Sequence, residues 1–476
     1  MHRAVFSGLK SLLRPAGLAV GVCLALGTVG AREAAADNIA DAMIGAYNTS
    51  GLLEQNRALL RAADEDAAIA LSALRPVIDW TIRLQGVNNE ARGVFINQTK
   101  SSDVFTGLTL QWLLFDGGSS RLTRQAAQES VLATRQRLVS IEQQILFRAV
   151  AAYLNVLLRT ENVALGENNV GLLGEELRAA QDRFEVGEVT RTDVALAESR
   201  LAAARANLSD ARGELAKANS EYANAVGHAP GRLAGQPRLP QRPASVQSAR
   251  DLAVRNHPSI REVQHQVTST ELAVLAASKD LGPSASLRAD VGVTEDLGSS
   301  LYSNSSSVSL NFSQNIYSGG RLAALLRRSM ATRDAARASL LTVQRDVVQD
   351  VQDAYARSLV AEASLTASTE RVRAADVAFQ GIREEATLGA RTTLDVLTAE
   401  QELLNARIAE VSSRVERSLA AYELLATQGL LTAEQLGLAV QIYDPTLYYN
   451  LVKDAPAQVS KQSKDLDRVM KALGKK

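Results

Sequence analysis

Hydrophobic and polar residues alternate with a period of two in four separate segments of the chain. Each segment would place hydrophobic side chains on one side of an extended backbone and polar ones on the other, which predicts two pairs of β-strands. Polar stretches around Asn88–Ala91 and Gly298–Ser307 separate the members of each pair and predict hairpin loops. The hydrophobic positions are Ile78, Trp80, Ile82 and Leu84; Leu108, Leu110, Trp112 and Leu114; Leu287, Ala289, Val291 and Val293; and Val308, Leu310 and Phe312.

Longer segments instead carry hydrophobic residues at steps of three and four, which is typical of helices packed along a coiled-coil seam. A helix from Gly118 to Gly187 would be about 100 Å long, and a return helix from Asp193 to about Val226 roughly 50 Å. These lengths exceed what a globular core needs. The positions along the first seam are Leu138, Ile141, Ile145, Ala149, Ala152 and Val156. Two shorter helices, each ended by a proline, are predicted at about Leu52–Leu74 and Ile260–Leu281.

The chain repeats itself at a constant offset of 202 residues. The Phe-Asp-Gly-Gly segment ending at Gly118 recurs as the Tyr-Ser-Gly-Gly segment ending at Gly320, and Gly187 recurs as Gly389. A Thr-x-x-Asp capping box follows each of the latter two glycines, the first ending at Asp193. The repeat therefore predicts two equivalent halves, each with a strand pair and a long helical hairpin whose tip turns at a glycine.

The first residues are typical of a secretory signal peptide. A positively charged start precedes the apolar run 16–30, and the small residues 34–36 predict cleavage before Asp37. The alternative is a retained N-terminal anchor. Cys23, the only cysteine of the chain, lies in the apolar run, so the mature protein would have no disulfide and no thiolate metal site. No later segment has the roughly 18 apolar residues of a spanning helix, so an exported protein of this kind is periplasmic, secreted or an outer-membrane barrel.

Composition and charge exclude several classes of function. Aromatic residues make up only 4% of the chain, and alanine and leucine supply much of the apolar surface, which favours long packed helices. The formal net charge is zero, so electrostatics indicate no nucleic-acid partner. Beyond the predicted signal peptide, the histidines His228, His257 and His265 lack the spacing of metal ligands, and no catalytic motif appears. The sequence therefore predicts no enzyme, no cofactor and no metal site.

The strands also predict oligomerisation. In an exported protein, strands with one apolar and one polar face fit a barrel with lipid outside and a lumen inside. A barrel must close to leave no strand edge in lipid, and transmembrane barrels start at about eight strands. Four strands per chain are too few, whereas three chains would supply twelve. The long helices would then continue from the strands as a hollow cylinder.

The two predicted tips resemble those of a known family. The segments Arg183–Val194 and Leu388–Leu397 are similar to the first and second repeat tips of the TolC family of outer-membrane efflux and secretion proteins. This resemblance implies a mainly α fold with β-strands, in which a homotrimer forms a twelve-stranded barrel in outer-membrane lipid and an α-helical tunnel in the Gram-negative periplasm. It also implies docking, through a periplasmic adaptor protein, to an inner-membrane ABC or proton-driven transporter.

The resemblance further implies a periplasmic gate. In the family, an arginine of the second tip contacts a threonine–aspartate pair of the first, and these positions are Arg391, Thr192 and Asp193 here. Asp395 matches one position of an acidic ring at the constriction. The chain departs from the family at a gate tyrosine and a second ring aspartate, where it has Ala386 and Thr398, so the resemblance implies fewer closing contacts at this gate. The alternative is that both aspartates only cap helices and that Arg391 is a solvated charge.

Two further features concern the membrane and the exported substrate, here called the client. Trp80 and Trp112 on the apolar faces are candidates for an aromatic girdle, or for packing against a neighbouring protomer. The segment Ile442–Pro445, followed by Tyr448 and Tyr449, resembles the equatorial tail of family members that serve type I protein secretion. It favours secreted polypeptides over small toxic compounds as the exported substrate.

The expected function is therefore the outer-membrane exit duct of a tripartite export system. The alternative is a soluble periplasmic coiled-coil adaptor or scaffold, which would not explain the four alternating strands. The expected domains are a signal peptide (1–36), a first repeat (37–230), a linker (231–248), a second repeat (249–430), an equatorial segment (431–454) and a disordered tail (455–476).

Overall fold

The structure is a computed structural model that describes residues 37–92, 96–456 and 460–472. Side chains are described throughout these ranges except at 89–92, 96–100 and 470–472. The predicted signal peptide, with Cys23, lies outside the described residues.

The elements form two equivalent halves, as the repeat predicts. The two longest helices, α3 and α7, each contain 67 residues. Each is therefore about 100 Å long. The first half consists of α1 (Ile39–Thr49), α2 (Gly51–Ser72), β1 (Val77–Arg92), β2 (Ile96–Phe115), α3 (Ser119–Glu185) and α4 (Arg191–Val226). The second consists of α5 (Val246–Asn256), α6 (Pro258–Lys279), β3 (Ser284–Asp296), β4 (Tyr302–Ser313), α7 (Arg321–Thr387) and α8 (Thr393–Thr427), and α9 (Pro445–Val452) and α10 (Lys461–Ala472) follow.

The four strands form one antiparallel sheet in the order β1-β2-β3-β4. The pairing of β2 with β3 joins the two halves, and within the described chain β1 and β4 are the sheet edges. Residues directly opposite each other share a face, so Trp80, Leu108 and Val291 form one apolar row across three strands. The polar residues lie on the other face, where Thr109 is opposite Asp290. The predicted two-faced sheet is confirmed.

The strands are longer than predicted. The backbone of Asn88–Ala91, predicted as a loop, belongs to β1 and pairs with β2. Residues 302–307, also predicted as loop, belong to β4. The prediction was wrong because polar side chains suggested turns, whereas strand pairing is made by backbone groups that every non-proline residue carries.

A pair of glycines makes the sharp turn from strand to long helix in each half. Gly117 and Gly118 have φ of 66° and 91°, and Gly319 and Gly320 have 61° and 84°. Side chains disfavour this left-handed region, so glycine is required for the turn. The repeated Gly-Gly of the sequence is thereby explained.

The largest apolar core lies near the middle of the long helices. Leu146 and Tyr153 of α3, Leu60 of α2 and Tyr222 of α4 are all buried there. The Tyr153 hydroxyl donates to the carbonyl of Gly235, 2.9 Å away, which fastens the linker between the two halves to this core. Helices α1 and α5, which the hydrophobic pattern did not predict, also pack here or nearby.

The predicted disordered tail contains a helix. Residues 461–472 form α10, so the prediction was wrong for this part. Val469 of α10 lines a cavity of about 300 Å³ together with Leu447 and Tyr448 of α9. Leu466 and Val469, one turn apart, give the polar segment enough of an apolar side to pack. Among the described helices, none is long and apolar enough to cross a membrane.

Candidate functional site at the helix tips and the sheet

Both helical hairpins turn at their predicted glycines. Gly187 and Gly389 have φ of 82° and 75°, the left-handed conformation that commonly ends a helix. The amide of Glu188 donates to the carbonyl of Arg183 at 2.9 Å, and Ala390 donates equivalently to Glu385 at 2.9 Å. The two tips are therefore local copies of each other.

Each return helix begins with a complete capping box. The carboxylate of Asp193 accepts from the amide and hydroxyl of Thr190 at 2.9 and 2.7 Å, and the Asp193 amide donates to the Thr190 hydroxyl at 3.3 Å. Asp395 and Thr392 repeat this arrangement at 3.0, 2.8 and 3.2 Å. These hydrogen bonds lower the pKa of both aspartates. The capping function of Asp193 and Asp395 is therefore confirmed, whereas their part in a gate stays a prediction.

Arg391 is paired within its own tip. Its Nε lies 2.7 Å from Glu385 Oε2, and this hydrogen bond raises the pKa of the guanidinium. In the part of the single chain that the structure describes, no hydrogen bond or ion pair joins Arg391 to Thr192 or Asp193. Glu385 was missed by sequence reasoning. Its repeat counterpart, 202 residues earlier, is Arg183, and this charge reversal could have revealed it.

The two departures from the family pattern have ordinary structural roles here. Ala386 is buried in an apolar cluster with Phe379 and Val396. The Thr398 hydroxyl donates to the carbonyl of Leu394 at 2.8 Å, one turn earlier in α8.

A buried carboxyl group lies near the tips and was not predicted. Glu400 of α8 is 3% exposed, and neither of its oxygens has a hydrogen-bond partner among the described residues. Burial, helped by the negative charge of Glu176 and opposed by the positive charge of Arg383, raises its pKa to about 7. Burial depends on the packing of α8 against α3, which helix periodicity alone does not reveal.

The apolar face of the sheet has aromatic residues near both ends. Tyr302 and Phe312 share this face and are ten residues apart along β4. This separation spans about 33 Å of strand and, at a tilt of about 40°, roughly 25 Å of height, the height of the apolar band of an outer-membrane barrel. Trp112 lies near the Phe312 end, where its indole N–H donates to the carbonyl of Leu74 at 3.3 Å. Trp80, opposite Leu108, lies inside the band and is 69% exposed.

The polar face of the sheet carries charges and one aromatic ring. The Arg288 Nε lies 2.9 Å from Asp290 Oδ2, and the Thr109 hydroxyl donates to Asp290 Oδ1 at 2.8 Å. The ring of Phe105 covers a pair of glycines on adjacent strands, Gly107 and Gly292, so closely that an added Cβ on either would lie 2.5 Å from a ring carbon. The face suits a water-filled lumen.

The tyrosines of the equatorial segment are held by arginines and a glutamate. The guanidinium carbon of Arg57 lies 5.1 Å from the centre of the Tyr443 ring, and that of Arg135 lies 5.1 Å from the centre of Tyr449. The Tyr448 hydroxyl donates to Glu65 at 2.7 Å. These contacts fasten the segment to α2 and α3. Across the described ranges, no group of His, Cys, Asp and Glu side chains is arranged to hold a metal ion.

Comparison with known proteins agrees with this architecture. The family model for outer membrane efflux proteins matches residues 46–228 and 249–429, one segment in each half. The chain is 34% identical to the outer membrane efflux protein BepC of Brucella suis, over 95% of this chain and 98% of that protein. It is 27% identical to the alkaline protease secretion protein AprF of Pseudomonas aeruginosa, over 66% and 67%.

Solved structures share the fold at lower identity. The outer-membrane channel OprN superposes with a TM-score of 0.72 at 22% identity, covering 82% of this chain and 89% of that one. The CmeC channel of Campylobacter jejuni gives 0.73 at 16% identity, over 87% and 89%. The predicted fold class is thereby confirmed, with its tandem repeat, its share of a strand barrel and its long helical hairpins.

Proposed function

Because this chain belongs to the outer membrane efflux protein family, we propose that three copies of it form the gated exit duct of a tripartite export system. The chain resides in the outer membrane of a Gram-negative cell and extends its helices into the periplasm. A periplasmic adaptor and an inner-membrane ABC or proton-driven transporter are the proposed partners. The duct would be a passive conduit, without a catalytic residue or cofactor.

One observation carries the proposal. A two-faced sheet with two unpaired edges continues directly into helical hairpins of about 100 Å. Edges left open in lipid would expose backbone groups that nothing could satisfy, so β4 of one copy must pair with β1 of the next. Three copies would close twelve strands into a barrel, a number within the range seen in bacterial outer membranes. A soluble adaptor would have no use for the apolar face.

The proposed client is a secreted polypeptide. Two relatives support it by name: AprF, and the proteases secretion protein PrtF of Dickeya chrysanthemi, which is 25% identical over 76% of this chain and 84% of that protein. The well-anchored segment containing Tyr443, Tyr448 and Tyr449 supports the same client, because it resembles the equatorial tail of family members that serve type I protein secretion. A second candidate client is a small toxic compound, which the efflux designation of BepC supports at higher identity.

Deletion of the gene would separate the two clients. Loss of specific proteins from the culture medium, with unchanged tolerance of dyes, detergents and antibiotics, is the result expected for a secretion duct. Sensitivity to those compounds with an intact set of secreted proteins would instead assign the chain to efflux. Re-expression of the wild-type gene is the control, and purified protein should have the mass of three chains in detergent.

For the gate, we propose that Arg391 contacts Thr192 and Asp193 of a neighbouring copy when the tips close, with Asp395 in an acidic ring beside it. The side chain of Arg391 is half exposed and stands at the tip, which leaves it within reach of a second copy.

A pair of variants tests the gate. Arg391→Ala removes both the in-chain pair and any contact between copies, whereas Glu385→Gln weakens only the in-chain pair with Arg391. We expect Arg391→Ala to raise single-channel conductance in planar bilayers and Glu385→Gln to leave it unchanged. Equal effects of the two variants would show that Arg391 acts only within its own tip.

A further inference from the structure

The two helical hairpins of one chain meet near their tips around a buried carboxyl group. Glu400 lies two turns into α8, which begins at Thr393. One turn earlier on the same helix, Leu397 packs against Leu173 of α3 and Leu201 of α4. The Glu400 side chain is therefore enclosed at the contact between the hairpins, where its two oxygens have no hydrogen-bond partner among the described residues.

Two charged groups act on Glu400 from neighbouring helices: Glu176 from α3 and Arg383 from α7. The Arg383 Nε lies 3.6 Å from Glu176 Oε1, so the arginine is already paired across the same contact. Helix α4 contributes the apolar residues Leu201 and Ala204 to this contact. One positive charge therefore faces two carboxyl groups. The charges of Arg383 and Glu176 cancel while Glu400 is neutral. When Glu400 ionises, the cluster holds an uncompensated negative charge.

We propose that Glu400 is a proton-controlled latch between the two hairpins of each protomer. When it is protonated, α8 packs against α3 and α4 as the structure shows. When it ionises, burial becomes unfavourable and the tip ends of the hairpins separate, which widens the periplasmic end of the duct. The separation of the two hairpins depends only on residues of this chain. Its effect on the passage of exported substrate rests on the proposed channel function.

The pH range follows from the two environments of the carboxyl group. Packing holds the pKa of Glu400 at about 7, and separation would return it toward the ordinary value of 4.5. Packing is therefore strongest below about pH 4.5, is progressively lost as the pH rises, and is weakest above about pH 7. Between about pH 5.5 and about pH 7.5, proton linkage shifts the equilibrium about 20-fold toward separation.

Distance measurement between the hairpins tests the latch directly. Gln181 of α3 and Gln380 of α7 are exposed, and each can be changed to Cys for spin labelling, because the only native cysteine, Cys23, lies in the predicted signal peptide. Pulsed electron paramagnetic resonance on the purified protein should show a growing population of separated hairpins as the pH rises. Glu400→Gln, which cannot ionise, should keep the hairpins packed at every pH.

Two variants control this experiment. Glu402→Gln neutralises an exposed carboxylate of the same helix that lies 3.3 Å from Arg371, and it should keep the wild-type pH dependence. Glu176→Gln removes the like charge and releases Arg383 toward Glu400, so its transition should move to lower pH. This variant also tests the latch if Glu400→Gln fails to fold.

Equal pH dependence in wild type and Glu400→Gln, or an unmoved transition in Glu176→Gln, would overturn the latch. Conductance measured on the same samples distinguishes failure of the latch from failure of the proposed channel function. Distances that respond to pH in a protein that never conducts would support the latch and count against the proposed channel.

Discussion

Asp193 caps a helix and is also a candidate gate residue, and substitution can separate these two roles. Its carboxylate accepts from the hydroxyl and amide of Thr190 at 2.7 and 2.9 Å, and its amide donates to the Thr190 hydroxyl at 3.3 Å, which completes a capping box. Asp193→Asn keeps an oxygen that can accept the same hydrogen bonds but removes the charge. Thr190→Ala removes the capping partner and keeps the charge. The two variants therefore remove the two roles one at a time.

The two variants should change different quantities: the stability of the first turn of α4 in one and the open-channel probability in the other. Loss of the cap in Thr190→Ala should destabilise the first turn of α4 by about 1 kcal/mol, which corresponds to roughly fivefold faster local hydrogen exchange. Loss of an exposed charge contact with Arg391 in Asp193→Asn is worth at most about 1 kcal/mol, so each of the three contacts in the proposed trimer should raise the open-channel probability by no more than roughly fivefold. Asp193→Ala should show both effects.

Hydrogen exchange of the peptide at residues 186–198 and single-channel recording on the same preparations provide the measurement. The gate role would be refuted if Asp193→Asn behaved as wild type in the bilayer while Thr190→Ala opened the channel. That result would leave Asp193 as a helix cap alone. Because hydrogen bonds lower its pKa, the cap should be intact above the ordinary value of 3.8 and lost only as the pH falls through the lower pKa of the folded protein.

Two further predictions concern the sheet and a buried aspartate of α2, Asp64. Gly107→Ala would place a Cβ 2.7 Å from the carbonyl oxygen of Val291 on the neighbouring strand, whereas Gly86→Ala meets nothing within 4 Å. We expect Gly107→Ala alone to lower the temperature at which the purified oligomer dissociates, by an overpacking cost of about 1–3 kcal/mol per chain, and equal temperatures would contradict the packing argument. Burial raises the pKa of Asp64 to about 7, against the charge of Arg135. The contribution of Asp64 to stability should therefore be lost between about pH 4 and about pH 7. Parallel urea titrations should show that Asp64→Asn removes this contribution and leaves the part caused by the raised pKa of Glu400.

The long helices were predicted to within one or two residues at both ends, as α3 and α4 illustrate. Their boundaries depend on features that are local in the chain: a left-handed glycine at one end and a capping box at the other. The strand ends were less well predicted. Residues 302–307 of β4 are polar, and only their pairing with β3 shows that they are strand.

The partners of the tip residues could not be predicted either. Arg391 pairs with Glu385, six residues away across the turn, and the family resemblance pointed instead to a residue on the other tip. That resemblance concerns contacts between copies, which a single chain does not contain. The helix α10 was missed because its apolar residues, among them Leu466 and Val469, are outnumbered by charged and polar ones.

The sequence by itself therefore determined the tandem repeat, the two-faced strands, the helix lengths and the glycine turns of this protein. These features follow from periodicity and from backbone preferences that act over a few residues. Only the tertiary structure decided which polar groups are buried. Glu400 looks like any surface residue of a long helix until α3, from the other repeat, covers it. Burial is set by residues far apart in the chain, and desolvation there, rather than residue type, raises the pKa of this carboxyl group.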